Sequence, residues 1–557
     1  MNAGTSDFAD LIVRAGTVHA LGGHESQIGA IAVKAGRIIG VGTDDEMACF
    51  LGDQTRVLDV GDGTVVPGLI DAHMHPVMAI DLIAGVDLRK AQTPDEAREL
   101  IAARAATTPA GTWIRGWGLD PNVFGTAEIT NSCLNGIKDD RPIFVLLFDA
   151  HSGLANDAAL QLAGVGGHVD FSDGSRVVCD TSGKPTGLLL EMSAVGMVLG
   201  VMPELPFERR KQILLDSLRD MAASGLTGAH CLDMNAPDTL ELLTAIERDT
   251  DLPLKLRISP WCTPNFCEEN LPDLLAVLGR HGRRWKVEGI KLMVDGTIDN
   301  GTAWLAEPDA NGESTSGLWL DPAQYSASVA YFHAQGVSTS THAIGDAAVE
   351  HVLNTLVALE PSAGTVHRVE HVETIPDELV EPFAAKGIAA SMQPTHCTHF
   401  TRADQSDNWS RRLGPHRAAN GYRTRDLRDA GALLAIGSDW PIADYDPRLI
   451  IADAQLRRPA LQPDVSPVGP AQRLTALQAL EGYTSHAAAS VGCNDSGRIG
   501  VGARADLTIF SLDPLASDPE DFAVSEVLAT IVDGEIVHRD SSVRLGRAEL
   551  PARSGGL

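Results

Sequence analysis

A closed (β/α)8 barrel of TIM type, an α/β fold, joined to a small composite β-sandwich domain built from both chain ends, is what this sequence predicts. Three observations predict it. Apolar runs of mixed Val, Ile, Leu and Ala alternate with amphipathic stretches through the middle of the chain. Short strand-and-turn texture occupies both ends. His, Lys and Asp recur where separate apolar runs finish. Continuous apolar strands alternating with helices mean a parallel sheet covered by helices, and about seven or eight such units point to a closed barrel rather than an open sheet.

Residues 1–66 supply the first part of the β domain, with strands expected at Leu11 to Arg14, Ala30 to Lys34 and Arg37 to Val41, separated by Gly, Asp and Ser. The catalytic barrel is assigned to 67–495. Its strands are expected at Leu226 to Cys231, Leu254 to Ser259, Val287 to Val294, Val337 to Ile344, Arg368 to Val372, Ile388 to Met392 and Leu433 to Ser438. Helices at Phe207 to Ser224, Asp346 to Leu359 and Thr475 to Tyr483 separate several of them. Turn clusters around 110–200 break this rhythm and mark an insertion. Residues 496–545 complete the β domain with a strand at Ala505 to Phe510 and a hairpin over Leu528 to His538, turned at Asp533-Gly534. The remainder, 546–557, is a tail.

Lys and Arg total 44 against 74 Asp and Glu, a formal net charge of −30. This balance argues against a nucleic-acid partner, whose phosphates need clustered cations, and against a polybasic membrane role. No run approaches the roughly 20 apolar residues of a membrane helix; Ile143 to Phe148 is among the longest. The start MNAGTSDFAD lacks the basic and apolar regions of a signal peptide, so a cytoplasmic location is expected. The eight cysteines form no CxxC pair, which fits neither a disulfide framework nor a zinc finger.

The strongest local signal is Val66-Pro67-Gly68-Leu69-Ile70-Asp71-Ala72-His73-Met74-His75-Pro76. Alternation along a strand sends His73 and His75 to one face, about 7 Å apart, where both can converge on a divalent ion. His342, His371 and Asp439 each close a further apolar run, and barrels carry their chemistry at strand ends. Lys291 lies inside Gly289-Ile290-Lys291-Leu292-Met293-Val294. A buried lysine requires either an ion pair with a buried carboxylate or carbamylation, which turns the amine into a metal-bridging carboxylate.

This ordered set, with Gly183 to Glu191, Gly289 to Gly296, His342 to Asp346, His367 to His371, Ser391 to Pro394, Gly437 to Pro441 and Gly502 to Leu507, resembles the amidohydrolase superfamily. More narrowly it is similar to the amidohydrolase-3, or YtcJ-like, branch, which includes N-substituted formamide deformylases. The resemblance spans nearly the whole chain. It implies a divalent metal centre, usually zinc, with one or two ions. Carried over by position, His73 and His75 bind the more buried metal, His342 and His371 the second, Lys291 bridges, and Asp439 sits beside the nucleophilic water as catalytic base and acid. Glu191 is the rival for an additional acidic ligand. A homodimer is the family default.

The implied activity is hydrolysis of a C–N bond in a small uncharged amide, such as an N-substituted formamide giving formate and an amine. Ester, carbamate and cyclic-amide hydrolysis use the same metal chemistry and stand as alternatives; a non-catalytic binding protein would predict a damaged ligand set. Neither a phosphate-cradling loop nor a GxSxG elbow is present. For the substrate pocket, His151 is similar to the family's substrate-side histidine, Trp117 is a candidate aromatic wall, and Arg368 and Gln393 are candidates for steering a carbonyl. His396 and His399 read as a surface or pocket-rim pair on an irregular loop rather than as metal ligands, and His230-Cys231 likewise.

Overall fold

The computed structural model describes residues 8–21, 27–137, 141–149, 151–234, 238–264 and 268–547. Cys267, the first seven residues and the tail from 548 lie outside them. Eight parallel strands form the central sheet in sequence order: β1 (Leu69–Met74), β2 (Leu226–Met234), β3 (Lys255–Cys262), β4 (Ile290–Met293), β5 (Thr339–Ala343), β6 (Arg368–His371), β7 (Ala389–Met392) and β8 (Leu434–Ile436). Two backbone bonds close the ring between its ends, Asp439 N–H to His73 O and His75 N–H to Trp440 O, both 2.7 Å. Asp71 adds a side-chain clamp, its carboxylate accepting the N–H groups of His73 (3.0 Å) and Ser438 (3.1 Å). The sheet is thus a nearly closed TIM-type barrel. Its helices cap as their sequences dictate; Thr475 and Gln478 form a reciprocal capping box before Ala476–Tyr483.

The expected strand Val287 to Val294 is interrupted. Trp285–Val287 pairs beside β3 and β4 begins only at Ile290, because Gly289 adopts a left-handed conformation (φ +77°) that extended strands exclude. Between β1 and β2 the chain builds its own six-stranded sheet, which begins at Val86 and ends at Leu190. It has a separate apolar core around Leu88, Ile101, Ile143 and Leu154.

Both termini meet in a nine-stranded mixed sheet, where Leu507–Phe510 inserts antiparallel between Thr64–Pro67 and Val527–Val532. Its hairpin turns on Asp533 (φ +50°) and Gly534 (φ +75°), the two left-handed residues of a type I′ turn. One core collects Leu11, Ile38, Leu58, Ile509 and Ile531 from strands far apart in this sheet, so the sheet folds over itself. No described helix is long and apolar enough to cross a membrane.

Ile509 is fully buried in that core. Ile509→Ala is expected to destabilise the chain by about 2–5 kcal/mol, seen as a lower thermal midpoint, with metal content per folded molecule unchanged.

Candidate metal centre

Strand alternation puts Asp71, His73 and His75 on the inward face, all buried, and Met74 in the apolar core. His73 Nε2 and His75 Nε2 lie 3.2 Å apart, and Asp439 Oδ1 is 3.3 Å from the first and 3.0 Å from the second. His73 Nδ1 faces Glu370 Oε2 at 2.8 Å, so the N–H of a neutral ring sits there and Nε2 carries the bare lone pair. Asp439 Oδ1 and His75 Nδ1 find no hydrogen-bond partner. Lone-pair donors facing one another at these separations repel unless a cation lies between them. Adjacent ligands on a tetrahedral zinc ion stand about 3.3 Å apart given metal–ligand bonds near 2.0–2.1 Å. The residues present therefore fit a divalent metal.

His371 joins them, since His73, His371 and Asp439 offer ligand atoms within 4.8 Å of one another. Its Nδ1 is held by Gln393 Oε1 at 2.9 Å. The His342 ring sits 4.4 Å from that of His371 and 4.9 Å from that of His151; its Nε2 bonds Gly296 O at 3.1 Å. Lys291 is buried on the wall of the same space, and its amine makes no hydrogen bond or ion pair with any described residue. Glu370 and Asp439 are the buried carboxylates whose charges act on it from beyond contact distance.

Electrostatics suit ligation. Burial drives His342 and His371 well below the usual imidazole range, and neighbouring His and Lys charges add to this; His73 falls to about 4 for the same leading reason. Neutral imidazoles are what a metal requires. Burial pulls Lys291 down to about 8 although Glu370 and Asp439 oppose it. Burial alone would raise the Asp439 carboxyl, but His73 and His75 outweigh it and keep the group ionised. Backbone strain gathers here as well: His371 (φ +75°), Val372 (φ +49°), Asp439 (φ +59°) and Glu191 (φ +66°) are all non-glycine residues in left-handed conformations.

The insertion reaches over this face. His151 Nδ1 meets Glu191 Oε2 at 3.1 Å, and His151 lines the small cavity with His75, Lys291, His342 and Asp439. Burial works against the charged form of His151, yet Glu191 outweighs it and raises its pKa. One oxygen of Glu191 thus holds His151, while Oε1 is buried without a hydrogen-bond partner. A Cβ on Gly296 would stand 2.0 Å from Glu191 Oε1, so only glycine leaves room for that carboxylate. An adjoining cavity of about 240 Å3 shares Met192, Trp261, Lys291 and Met293 with the first.

Four expectations for the pocket change. Trp117 is packed in the insertion's core with Phe144 and Phe148, under the Arg89 guanidinium at 4.5 Å, and Trp261 is the aromatic wall instead. Arg368 does not face substrate space; it is buried and bonds Glu370 (2.8 and 2.9 Å), Ala72 O (2.6 Å) and His230 Nδ1 (2.6 Å). Gln393 orients His371 rather than a carbonyl. His396 lies on a helix, Pro394–Phe400, not a loop. It is buried, stacks on His371 at 5.9 Å and approaches Asp439 Oδ2 at 3.5 Å, whereas His399 turns away to Asp453 (3.1 Å).

Glu370 and Trp261 escaped the sequence reading. The signal for Glu370 was an Arg-x-Glu pair inside an apolar strand, which puts two opposite charges on one buried face.

Glu370→Gln is expected to weaken metal binding about 10–100-fold in a competitive chelator titration. It is also expected to lower the thermal midpoint, because Arg368 loses its buried counter-charge.

Residues 56–538 match the model of the "Amidohydrolase family". The chain is 28% identical over 530 residues to "Putative amidohydrolase YtcJ" of Bacillus subtilis (strain 168), covering 92% of this chain and 96% of that protein. It is 27% identical over 537 residues to "N-substituted formamide deformylase" of Arthrobacter pascens, covering 94% and 97%. Among solved structures, an uncharacterized metal-dependent hydrolase from Pyrococcus horikoshii OT3 superposes with a TM-score of 0.70 at 24% identity, over 91% of this chain and 99% of that one.

Proposed function

The chain belongs to the amidohydrolase family, and from that premise we propose that this hydrolase cleaves the C–N bond of a small uncharged amide, with an N-substituted formamide, split to formate and an amine, as the substrate class. The observation that carries the reading is the set of candidate ligand atoms, His73 Nε2, His75 Nε2 and Asp439 Oδ1, within 3.0–3.3 Å of one another beside a cavity walled by Trp261, Met293 and Leu318. Likeness to the Arthrobacter deformylase over 94% of the chain supports the substrate class.

The donor set of imidazoles with one carboxylate suits zinc. Such an ion supplies Lewis acidity to a water and to the substrate carbonyl when bound. The chain's own residues do the rest. Asp439, ionised and held by the strained turn after β8, takes the proton from the attacking water and returns it to the departing nitrogen, since an amide anion does not leave. His151, fixed by Glu191, orients the polar end of the substrate. Trp261, Met293 and Leu318 receive the N-substituent, and about 240 Å3 suits one ring or a short alkyl chain. Lys291 would help to hold the metal as its carbamate, formed when its unprotonated nitrogen bonds to the carbon of CO2 and gives up a proton to solvent.

Formate release from N-benzyl and N-alkyl formamides, run beside matching acetamides, esters and carbamates, tests the assignment. Release is expected to be lost on chelation, restored by zinc, and lowered about 10²–10⁴-fold in kcat by Asp439→Asn. Turnover of the esters or carbamates alone would keep the metal centre and overturn the formamide assignment. With carbon-13 bicarbonate, a carbamate resonance is expected in the wild type and absent in Lys291→Ala; its absence from both would overturn the carbamate.

A further inference from the structure

A cavity of about 460 Å3 lies at the N-terminal mouth of the barrel, opposite the metal centre and sharing no wall residue with the cavities there. It opens between the starts of β2 and β3, the segment after the last barrel helix, and the strand-leading residues Arg504 and Asp506. Six Lys and Arg side chains line it against two carboxylates, in a chain whose net charge is −30. Most of these cations are already paired: Lys255 with Asp506 (2.8 Å), Arg284 with Glu535 (2.7 Å), Lys286 with Glu288 (2.7 Å) and Arg504 with Asp495 (3.2 Å).

Arg257 is held more loosely than these. Its side chain is 12% exposed, and its ion pair with Glu288, a carboxylate that Lys286 also engages, spans 3.6 Å from Nε to Oε2. The guanidinium makes no hydrogen bond to any described residue, and its Nε is a buried orphan. Space is kept for it, because a Cβ on Gly289 would fall 2.9 Å from its terminal nitrogen; this is the residue whose left-handed backbone interrupts the strand. A guanidinium with five donors and no acceptor, in surroundings that screen poorly, is costly. Arg368 lies beyond His230, a wall residue, with its own charge met by Glu370.

We propose that this cavity binds a small dianionic molecule, which presents a phosphate or carboxylate group to the Arg257 guanidinium. The two-oxygen face of such a group matches the planar fork of arginine. Ser496 also lines the cavity and offers a hydroxyl donor. The volume falls within the usual range for small-molecule sites and leaves room for a body behind the anionic head. The site is separate from the hydrolytic centre and does not depend on the reaction assigned to it.

Calorimetric and thermal-shift titrations of the full chain with inorganic phosphate and with succinate, against sodium chloride at matched ionic strength, test the proposal. Saturable binding of phosphate or succinate, absent with chloride, is expected. Arg257→Gln is expected to weaken it at least about tenfold. Ser496→Glu, which places a competing carboxylate on the wall without touching a barrel strand, is expected to do the same and guards against misfolding of the first variant. Asp439→Asn should bind as the wild type does. Preference for phosphate would identify a phosphate ester as the occupant, and preference for succinate a dicarboxylate. No saturable binding by either anion, binding that survives both cavity variants, or binding lost in Asp439→Asn would overturn the proposal.

Discussion

A carboxylate sealed inside a barrel must be paired or neutral, and Glu370 is paired from two sides. Arg368, two residues earlier on β6, grips it with Nε and a terminal nitrogen, while His73 of β1 offers its ring N–H. Arg368 overcomes the desolvation of Glu370 and keeps it ionised. The ionised carboxylate then fixes His73 in the tautomer whose Nε2 faces the centre. The same guanidinium reaches Ala72 O, so β6 is tied to β1 across the barrel. Breaking one member leaves a buried charge alone, at a cost of about 3–5 kcal/mol, and frees the ring on which ligation depends.

Around this chain the site is assembled from parts with little freedom. His73 and Asp439 are joined through backbone bonds where the barrel closes. His371 and Asp439 sit in left-handed conformations that a relaxed turn would avoid. Asp233 accepts the N–H groups of Val77 (2.6 Å) and Met78 (2.9 Å), holding the chain as it leaves His75. The insertion contributes from above through His151 and Glu191, and Asp149 beside them accepts Thr297 of the barrel at 3.2 Å. Barrel strands thus hold the centre rigidly, while the insertion shapes what reaches it.

The barrel and the gathering of His73, His371 and Asp439 were legible because both rest on local rules. Period-two alternation put His73 and His75 on one face, and His342, His371 and Asp439 each end an apolar run, where a barrel exposes its side chains. What lay beyond reach depends on neighbours distant in sequence. Arg368 and Gln393 stand beside strand ends, so proximity suggested substrate contact; only the fold shows that their partners are Glu370 and His371. Trp117 lost its place to Trp261 because the insertion folds its own sheet and keeps that ring for its own core. Thr395-His396-Cys397-Thr398-His399 carries no helical periodicity, yet Pro394 starts a helix there and turns His396 onto His371. Lys291 could be flagged from sequence, but the absence of a hydrogen bond or close ion pair at its amine among the described residues could not.

The central claim is that His73, His75 and Asp439, oriented by Glu370, form one divalent-metal site at the mouth of the barrel. The most direct test is an anomalous difference map from crystals of zinc-loaded protein, collected on both sides of the zinc edge. The account predicts a peak about 2.0–2.1 Å from the Nε2 atoms of His73 and His75 and in reach of Asp439. No peak there, or zinc only at surface carboxylates with His73 Nε2 and His75 Nε2 still facing one another unbridged, would contradict it.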